Sequence, residues 1–251
     1  MEQLLISPYW LAAIFFLVAL LYASVGLGGG SSYTAILSIV GATYLSIPTV
    51  SLSLNVAVTS IGSLNFMRAG HARWSLIVPF LISSMPLAYV GGSLALPQQA
   101  FTILLLVSLL FVLLRIYLPA ATQVITILSQ RKRIAISLVA GSVLGFIAGA
   151  VGIGGGIYLV PLILLLGLGT AQQAAVAGAI FVWVNSVIGL IARIQSDRVD
   201  LSFMLPLLIA VLFGGWLGSR LGAKMLPAII IERILGVVIL IAVILLVRKL
   251  L

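Results

Sequence analysis

The chain of 251 residues is 63% hydrophobic and only 7% charged, with 13 basic against 4 acidic residues. A soluble domain is about a quarter charged, so the composition excludes a water-soluble enzyme or nucleic-acid binder and assigns the net charge of +9 to cytoplasmic loops of a membrane protein. Cysteine is absent and His71 is the single histidine, which excludes disulfide scaffolds, thiolate or multi-histidine metal sites and cysteine catalysis.

Charges cut the chain into apolar runs. Residues 3–67, 74–114, 134–192, 201–219 and 234–247 contain no Asp, Glu, Lys or Arg. A spanning helix needs roughly 20 apolar residues, so the runs hold at most about three, two, three, one and one passes. Three full spans would leave residues 3–67 almost nothing for turns. One segment in each long run is therefore expected to be short, tilted or re-entrant.

In chain order, a first helix reads Pro8 to Val25 and stops at Gly26-Leu27-Gly28-Gly29-Gly30. A short segment follows from Ser31 and fades between Gly41 and Pro48. A longer helix is predicted from about Thr49 to Met67, then two more near 75–95 and 99–118, with Pro97 in their loop. No Lys or Arg precedes the first helix, whereas the n-region of a signal peptide needs one, so that helix is expected to remain part of the fold.

The first glycine run recurs as Gly152-Ile153-Gly154-Gly155-Gly156, with Gly26 and Gly152 lying 126 positions apart. At the same offset Val25 meets Val151, Thr59 meets Asn185, Ser60 meets Ser186 and Leu64 meets Leu190. Gly91-Gly92 pairs with Gly214-Gly215, and Leu96-Pro97 with Leu226-Pro227, at slightly different offsets. The chain therefore reads as one membrane domain, 1–251: repeat one over about 8–119, a polar linker over 120–133, and repeat two over about 134–250. Such duplications are characteristic of secondary transporters. The expected fold is an all-α polytopic integral membrane protein. It has 8–10 transmembrane or re-entrant helices in two repeats, broken at the glycine motifs. Asp197 and Asp200 offset Arg193 and Arg198; that near-neutral loop favours an inverted 5+5 arrangement.

A helix break inside lipid leaves backbone donors and acceptors unpaired, and is tolerated only where protein buries it or a wet cavity meets it. The segment after each glycine run starts with free N–H groups and a positive dipole end, which together attract anions. The candidate substrate-binding residues are accordingly Gly28, Gly29, Gly30, Ser31 and Ser32 in the first copy and Gly154, Gly155 and Gly156 in the second. Asn55, Thr59, Gln172, Asn185 and Ser186 on the following long helices add amides and hydroxyls that bind an oxyanion without a buried full charge. The alternative for these polar residues is interhelical hydrogen bonding. Gly145/Gly149 and Gly214/Gly218 are GxxxG pairs, for which close helix packing is the better explanation. Arg68 and Arg193 stand at comparable helix ends, as positive-inside anchors or as attractors for an anion. Trp183 is a packing or belt residue. No carboxylate falls mid-membrane, so a buried Asp/Glu proton relay has no carrier, and no metal site or cofactor is expected.

A GxGGG run ending one helix, followed by a short apolar segment and occurring twice, resembles the sulfite exporter TauE/SafE family, also called the toluene sulfonate uptake permease family. The second copy, Gly152 through Pro161, fits it including the proline; the first has Ala35 in the proline's place. The resemblance covers nearly the whole chain. It implies a multi-pass permease of the plasma membrane (the bacterial inner membrane) for small sulfur-containing anions such as sulfite or organosulfonates. The partners expected are a small anion and the lipid bilayer, without nucleic acid, and a homodimer is left open. A permease for a carboxylate or other small solute, or a non-transporting membrane scaffold, are the alternatives; a scaffold has no use for doubled glycine breaks.

Overall fold

The computed structural model describes residues 6–24, 27–68, 72–117, 129–195, 204–221 and 228–250. They form ten helices: α1 Pro8–Ser24, α2 Gly30–Ile39, α3 Ser46–Arg68, α4 Trp74–Ser93, α5 Gln98–Tyr117, α6 Gln130–Val151, α7 Gly156–Leu165, α8 Ala171–Gln195, α9 Met204–Leu221 and α10 Ala228–Leu250. No strand occurs among the described residues. His71, Asp197, Arg198, Asp200, Lys224, the Leu226-Pro227 pair, and Val25 and Gly26 at the start of the first glycine run lie outside the described residues.

Helices α4, α5, α6 and α9, and residues 172–195 of α8, are long and apolar enough to cross a bilayer by length and composition. By contrast α2 and α7 have ten residues each. At the helical rise that is about 15 Å, half the hydrocarbon thickness. The chain therefore breaks at both glycine runs and continues each time as a half-length helix. Helix α3 begins at Ser46, earlier than the Thr49 expected from Pro48. Proline in a first turn costs little, because its missing N–H would have had no intrahelical partner. Helix α8 begins after Thr170 through a reciprocal cap. The Thr170 N–H donates to Gln173 Oε1 at 3.1 Å, and the Gln173 N–H to Thr170 Oγ1 at 3.3 Å, the capping-box geometry.

Glycine fixes how the helices run beside one another. Gly141, Gly145 and Gly149 of α6 lie in step over the backbones of Phe80, Ser84 and Ala88 of α4. The two helices are therefore parallel. Gly214 and Gly218 of α9 lie likewise over Phe16 and Leu20 of α1. In each case an added Cβ would collide with a carbonyl oxygen of the partner helix. Helices α3 and α8 cross the centre antiparallel, with Leu52 against Gly189 and Ser60 bonded to Trp183. Thus α4 and α6 start at one end of the bundle, and α1 and α9 at the other.

The end where α4 and α6 start also gathers Arg73, Arg133 and Leu168 around one cleft, and joins α5 to α10 through Tyr117 Oη donating to the Arg233 carbonyl at 3.1 Å. Positive-inside bias makes this end cytoplasmic. At the opposite end Tyr89 Oη donates to Gln195 Oε1 at 2.6 Å. Exposed Tyr9 and Trp10 stand at the outer end and exposed Trp74 and Tyr117 at the cytoplasmic end, where amphipathic rings meet the two interfaces. Between them Ile82, Val139, Leu205 and Phe213 keep 63–67% of their surface exposed, while Phe15, Phe80 and Phe181 are fully buried. An apolar exterior of this kind faces lipid, and the chain is a multi-pass membrane protein.

Gly145→Val forces a branched side chain into the Ser84 backbone and is expected to lower the thermal midpoint of the detergent-solubilised protein by several degrees. Gly62, whose Cβ position is clear of other atoms, is the control. Gly62→Ala adds helix propensity and is expected to leave that midpoint unchanged or raised. Fluorescence-monitored melting of both variants checks the pair.

Candidate functional site

The two breaks pack on each other in the centre of the bundle. A Cβ on Gly30 would collide with the Ile153 carbonyl, so the start of α2 and the loop before α7 touch backbone to backbone. Asn55 of α3 stands between them. Its Nδ2 is 2.9 Å from where a Cβ of Gly154 would lie, and its Oδ1 is 3.2 Å from that point on Gly28. Val182 of α8 closes the other side, 3.0 Å from the Cβ point of Gly28 and 2.9 Å from that of Gly154. Only glycine leaves room for these approaches.

The break carbonyls are partly satisfied by α3 and α8. Ser51 Oγ donates to the Gly152 carbonyl at 2.7 Å, with the Gly30 carbonyl at 3.3 Å as a second acceptor. Asn55 Nδ2 reaches Gly152 O at 3.4 Å. Arg193, 3% exposed, donates from Nη2 to Ala150 O at 3.0 Å and to Gly149 O at 3.4 Å. It thus places a cation on the last turn of α6, which its dipole favours. Arg193 is therefore a buried cap of the broken helix; its position in the sequence suggested an anchor or an entrance charge.

The donor ends of the half-helices are free of side-chain caps. The N-cap residues Gly29 of α2 and Gly155 of α7 carry no side-chain hydrogen bond. Four polar atoms on fully buried residues of α2, α3 and α8 have no hydrogen-bond partner among the described residues: Tyr33 Oη, Asn55 Oδ1, Asn185 Oδ1 and Ser186 Oγ. The Tyr33 hydroxyl comes within 2.8 Å of the Cβ point of Gly29, next to the first turn of α2. Burying an unpaired polar atom costs about 1–3 kcal/mol, so this group calls for a ligand or water; Tyr33 Oη and Ser186 Oγ can donate to it, whereas Asn55 Oδ1 and Asn185 Oδ1 only accept.

Several expected residues are engaged elsewhere. The Ser31 and Ser32 hydroxyls share hydrogen bonds of 3.1 and 3.0 Å with Tyr22 Oη, so they brace α2 against α1. Thr59 Oγ1 donates to Asn55 O at 2.6 Å, and its methyl faces Gly28. Asn185 Nδ2 donates to Phe181 O at 2.8 Å, leaving only its oxygen free. Gln172 is exposed on the first turn of α8, about 20 Å of helix from Asn185; the structure does not bring it to the centre. Trp183 Nε1 donates to Ser60 Oγ at 2.9 Å, a packing role. Of Arg68 only the helical backbone is described.

The breaks also differ in backbone. Gly152, Gly154 and Gly155 have φ of 86°, 81° and 79°, whereas Gly29 has φ −84° and ψ 11°. Left-handed backbone explains the glycines of the second copy. At Gly29 the constraint is the Tyr33 ring, 2.5 Å from the Cβ point. Tyr33 and Ser51 are the central residues that sequence reasoning passed over. The available signal was position: Tyr33 falls in the first turn after the glycines, and Ser51 one turn before Asn55 on the same face.

A family model described as Sulfite exporter TauE/SafE matches residues 11–246. A probable membrane transporter protein of Sinorhizobium fredii, y4hK, is 35% identical, over 92% of this chain and 95% of its own length. A second, MJ0441 of Methanocaldococcus jannaschii, is 25% identical over 94% of this chain and 95% of its own. No solved structure matches the chain.

Gly155→Val meets both a left-handed φ and the Phe181 ring at 2.8 Å, and Gly29→Val meets Tyr33. Both variants are expected to insert into the membrane and lose at least about tenfold in transport rate, since 1.4 kcal/mol of displaced geometry suffices for that. Immunoblotting of membranes together with flux per inserted molecule checks the outcome.

Proposed function

The chain belongs to the sulfite exporter TauE/SafE family, and on that premise we propose that it is a secondary permease for a small anion, with sulfite or an organosulfonate as the favoured substrate class. Its relatives are named as membrane transporters, and no catalytic step is assigned to it. The observation that carries the reading is the centre between the breaks. Two half-helix N-termini without side-chain caps start there, with the unpartnered Tyr33 Oη, which can donate, next to Gly29. Half-helix N-termini hold anionic groups of substrates in broken-helix transporters. The tetrahedral or pyramidal oxygens of a sulfur oxyanion present several acceptors at once, which suits backbone and hydroxyl donors.

We read α1–α5 and α6–α10 as two halves of opposite orientation. The pairing of α1 with α9 and of α6 with α4 supports that reading. Each half lends its glycine-stripe contact to the other, and α4 and α9 run in opposite senses. The centre then lies on the interface of the halves, where rocking of one against the other would expose it alternately to each side.

Reconstituted protein is expected to carry saturable flux of sulfite or a sulfonate in a panel that also contains thiosulfate and carboxylates. Preference for a carboxylate would replace the substrate class; absence of saturable flux for every anion would overturn the reading.

Coupling is testable separately. No mid-membrane carboxylate or histidine is present to carry a proton. With the membrane potential clamped, a pH gradient alone is therefore expected not to drive uphill accumulation of a permanently ionised sulfonate that proves to be a substrate. Sulfite itself is unsuitable for this measurement, being a weak acid that carries its own proton. Accumulation of the sulfonate under the pH gradient would establish proton coupling against this expectation.

A further inference from the structure

A second polar site lies at the cytoplasmic end, where α4 and α6 splay apart below their glycine contact. A cleft of about 500 Å³ opens there, with Arg73 and Ser75 on α4 and its N-cap, Arg133 and Ser137 on α6, and the apolar Leu76, Pro79, Ile134 and Leu168 among its walls. Three observations point to a bound anion. Neither arginine forms an ion pair among the described residues, and Arg133 Nε is buried with no hydrogen-bond partner. Ser137 is 4% exposed and lines the cleft, and its hydroxyl makes no hydrogen bond among the described residues. Helices α4 and α6 both begin at this cleft, with N-caps Arg73 and Ser129 that make no side-chain cap, so two positive dipole ends add to two guanidinium groups. No carboxylate lines it.

The cleft is separate from the centre between the breaks. Its wall residue Leu76 belongs to a buried apolar cluster with Phe80, Ile163 and Phe181, and Phe181 packs on Gly155. That cluster stands between the arginines and the second break. The volume is that of a small-molecule site and exceeds what a bare phosphate or sulfate fills. One wall is cationic and another apolar, which selects a substituted oxyanion.

We propose that the Arg73–Arg133–Ser137 cleft binds a phosphate-ester or sulfonate group that carries an apolar or glycerol-like substituent, independently of the central transport site. The same chemistry comes from two sources, an anionic lipid headgroup at the cytoplasmic leaflet or a soluble organic phosphate or sulfonate.

The experiment measures binding to delipidated, detergent-solubilised full-length protein by thermophoresis. The probes are short-chain phosphatidylglycerol, short-chain phosphatidylcholine, glycerol phosphate and glucose phosphate. Saturable binding of at least one anionic probe, and none of phosphatidylcholine, is expected. R73Q and R133Q are each expected to weaken it about tenfold, the value of one charge-assisted contact, whereas G155V, in the central site, leaves it unchanged. Binding of phosphatidylglycerol alone would identify the lipid source, and binding of the soluble probes the solute source; either outcome supports the site. S137V, which fills the wall without removing charge, is the second variant should the arginine variants not elute as monodisperse protein, and it is expected to weaken binding several-fold. Failure of every anionic probe to bind, or binding that R73Q, R133Q and S137V leave intact, overturns the proposal whatever the flux measurements give.

Discussion

Hydrocarbon supplies no hydrogen bonds, and this bundle contains two places where the backbone stops supplying its own. Each unsatisfied group there costs several kcal/mol, so everything around the breaks answers that cost. The carbonyls at the end of α6 and in the following loop receive Arg193, Ser51 and Asn55. The two breaks also shield each other, since Gly30 lies directly on the Ile153 carbonyl. Helices α3 and α8 complete the wall, with Ser51 and Asn55 of α3 and Arg193 of α8 turned onto the break carbonyls. The N-caps of α2 and α7 make no side-chain cap, and Tyr33 Oη, Asn55 Oδ1, Asn185 Oδ1 and Ser186 Oγ have no partner among the described residues, so the polarity of the centre is not fully met by the protein.

Half-length helices cannot hold themselves in a membrane, which raises a second requirement. Lipid tails are as apolar as leucine, so helices associate there through close contact and not through hydrophobic burial. The glycine stripes of α6 and α9 meet it by bringing backbone onto backbone against α4 and α1. The helices that precede or face the breaks are thus clamped by partners from the other set of five. These pairings, the closest in the bundle, tie the two sets together, so any relative movement must carry the α1–α9 and α4–α6 pairs as units.

The amount of this that was legible in the sequence follows from which physics is local. Charge spacing and apolar length are one-dimensional, so a count of eight to ten segments, the short pieces after the glycines and the GxxxG contacts were readable from the apolar runs and from Gly26–Gly30, Gly152–Gly156, Gly145/Gly149 and Gly214/Gly218. Side-chain partners are not one-dimensional. Nothing adjacent to Ser31 and Ser32 announces that Tyr22 folds back to occupy them, and a polar Gln172 two residues after a cap looks no different from a polar residue at the centre. Arg193 was misread for a related reason. An arginine near a helix end normally reaches water, and only the closeness of α6 to α8 turns it inward onto Ala150. Gly29 and Gly155 look equivalent as letters, yet one is held by a neighbouring ring and the other by its own left-handed backbone.

That last difference extends across the centre. At the 126-residue offset, Tyr33, Ser51 and Asn55 correspond to Leu159, Ala177 and Phe181. At these three positions the polar side chains come from the first set of helices, while the second has apolar residues there and contributes positive-φ glycines and, from α8, Arg193 on the α6 carbonyls. A duplicated scaffold would generate two equal half-sites if its side chains matched, and a single small anion would then have no reason to prefer one orientation. Here the two sets agree in placing polar residues at Thr59/Asn185 and Ser60/Ser186 but differ at Tyr33, Ser51 and Asn55, so the two sides of the centre are not equivalent.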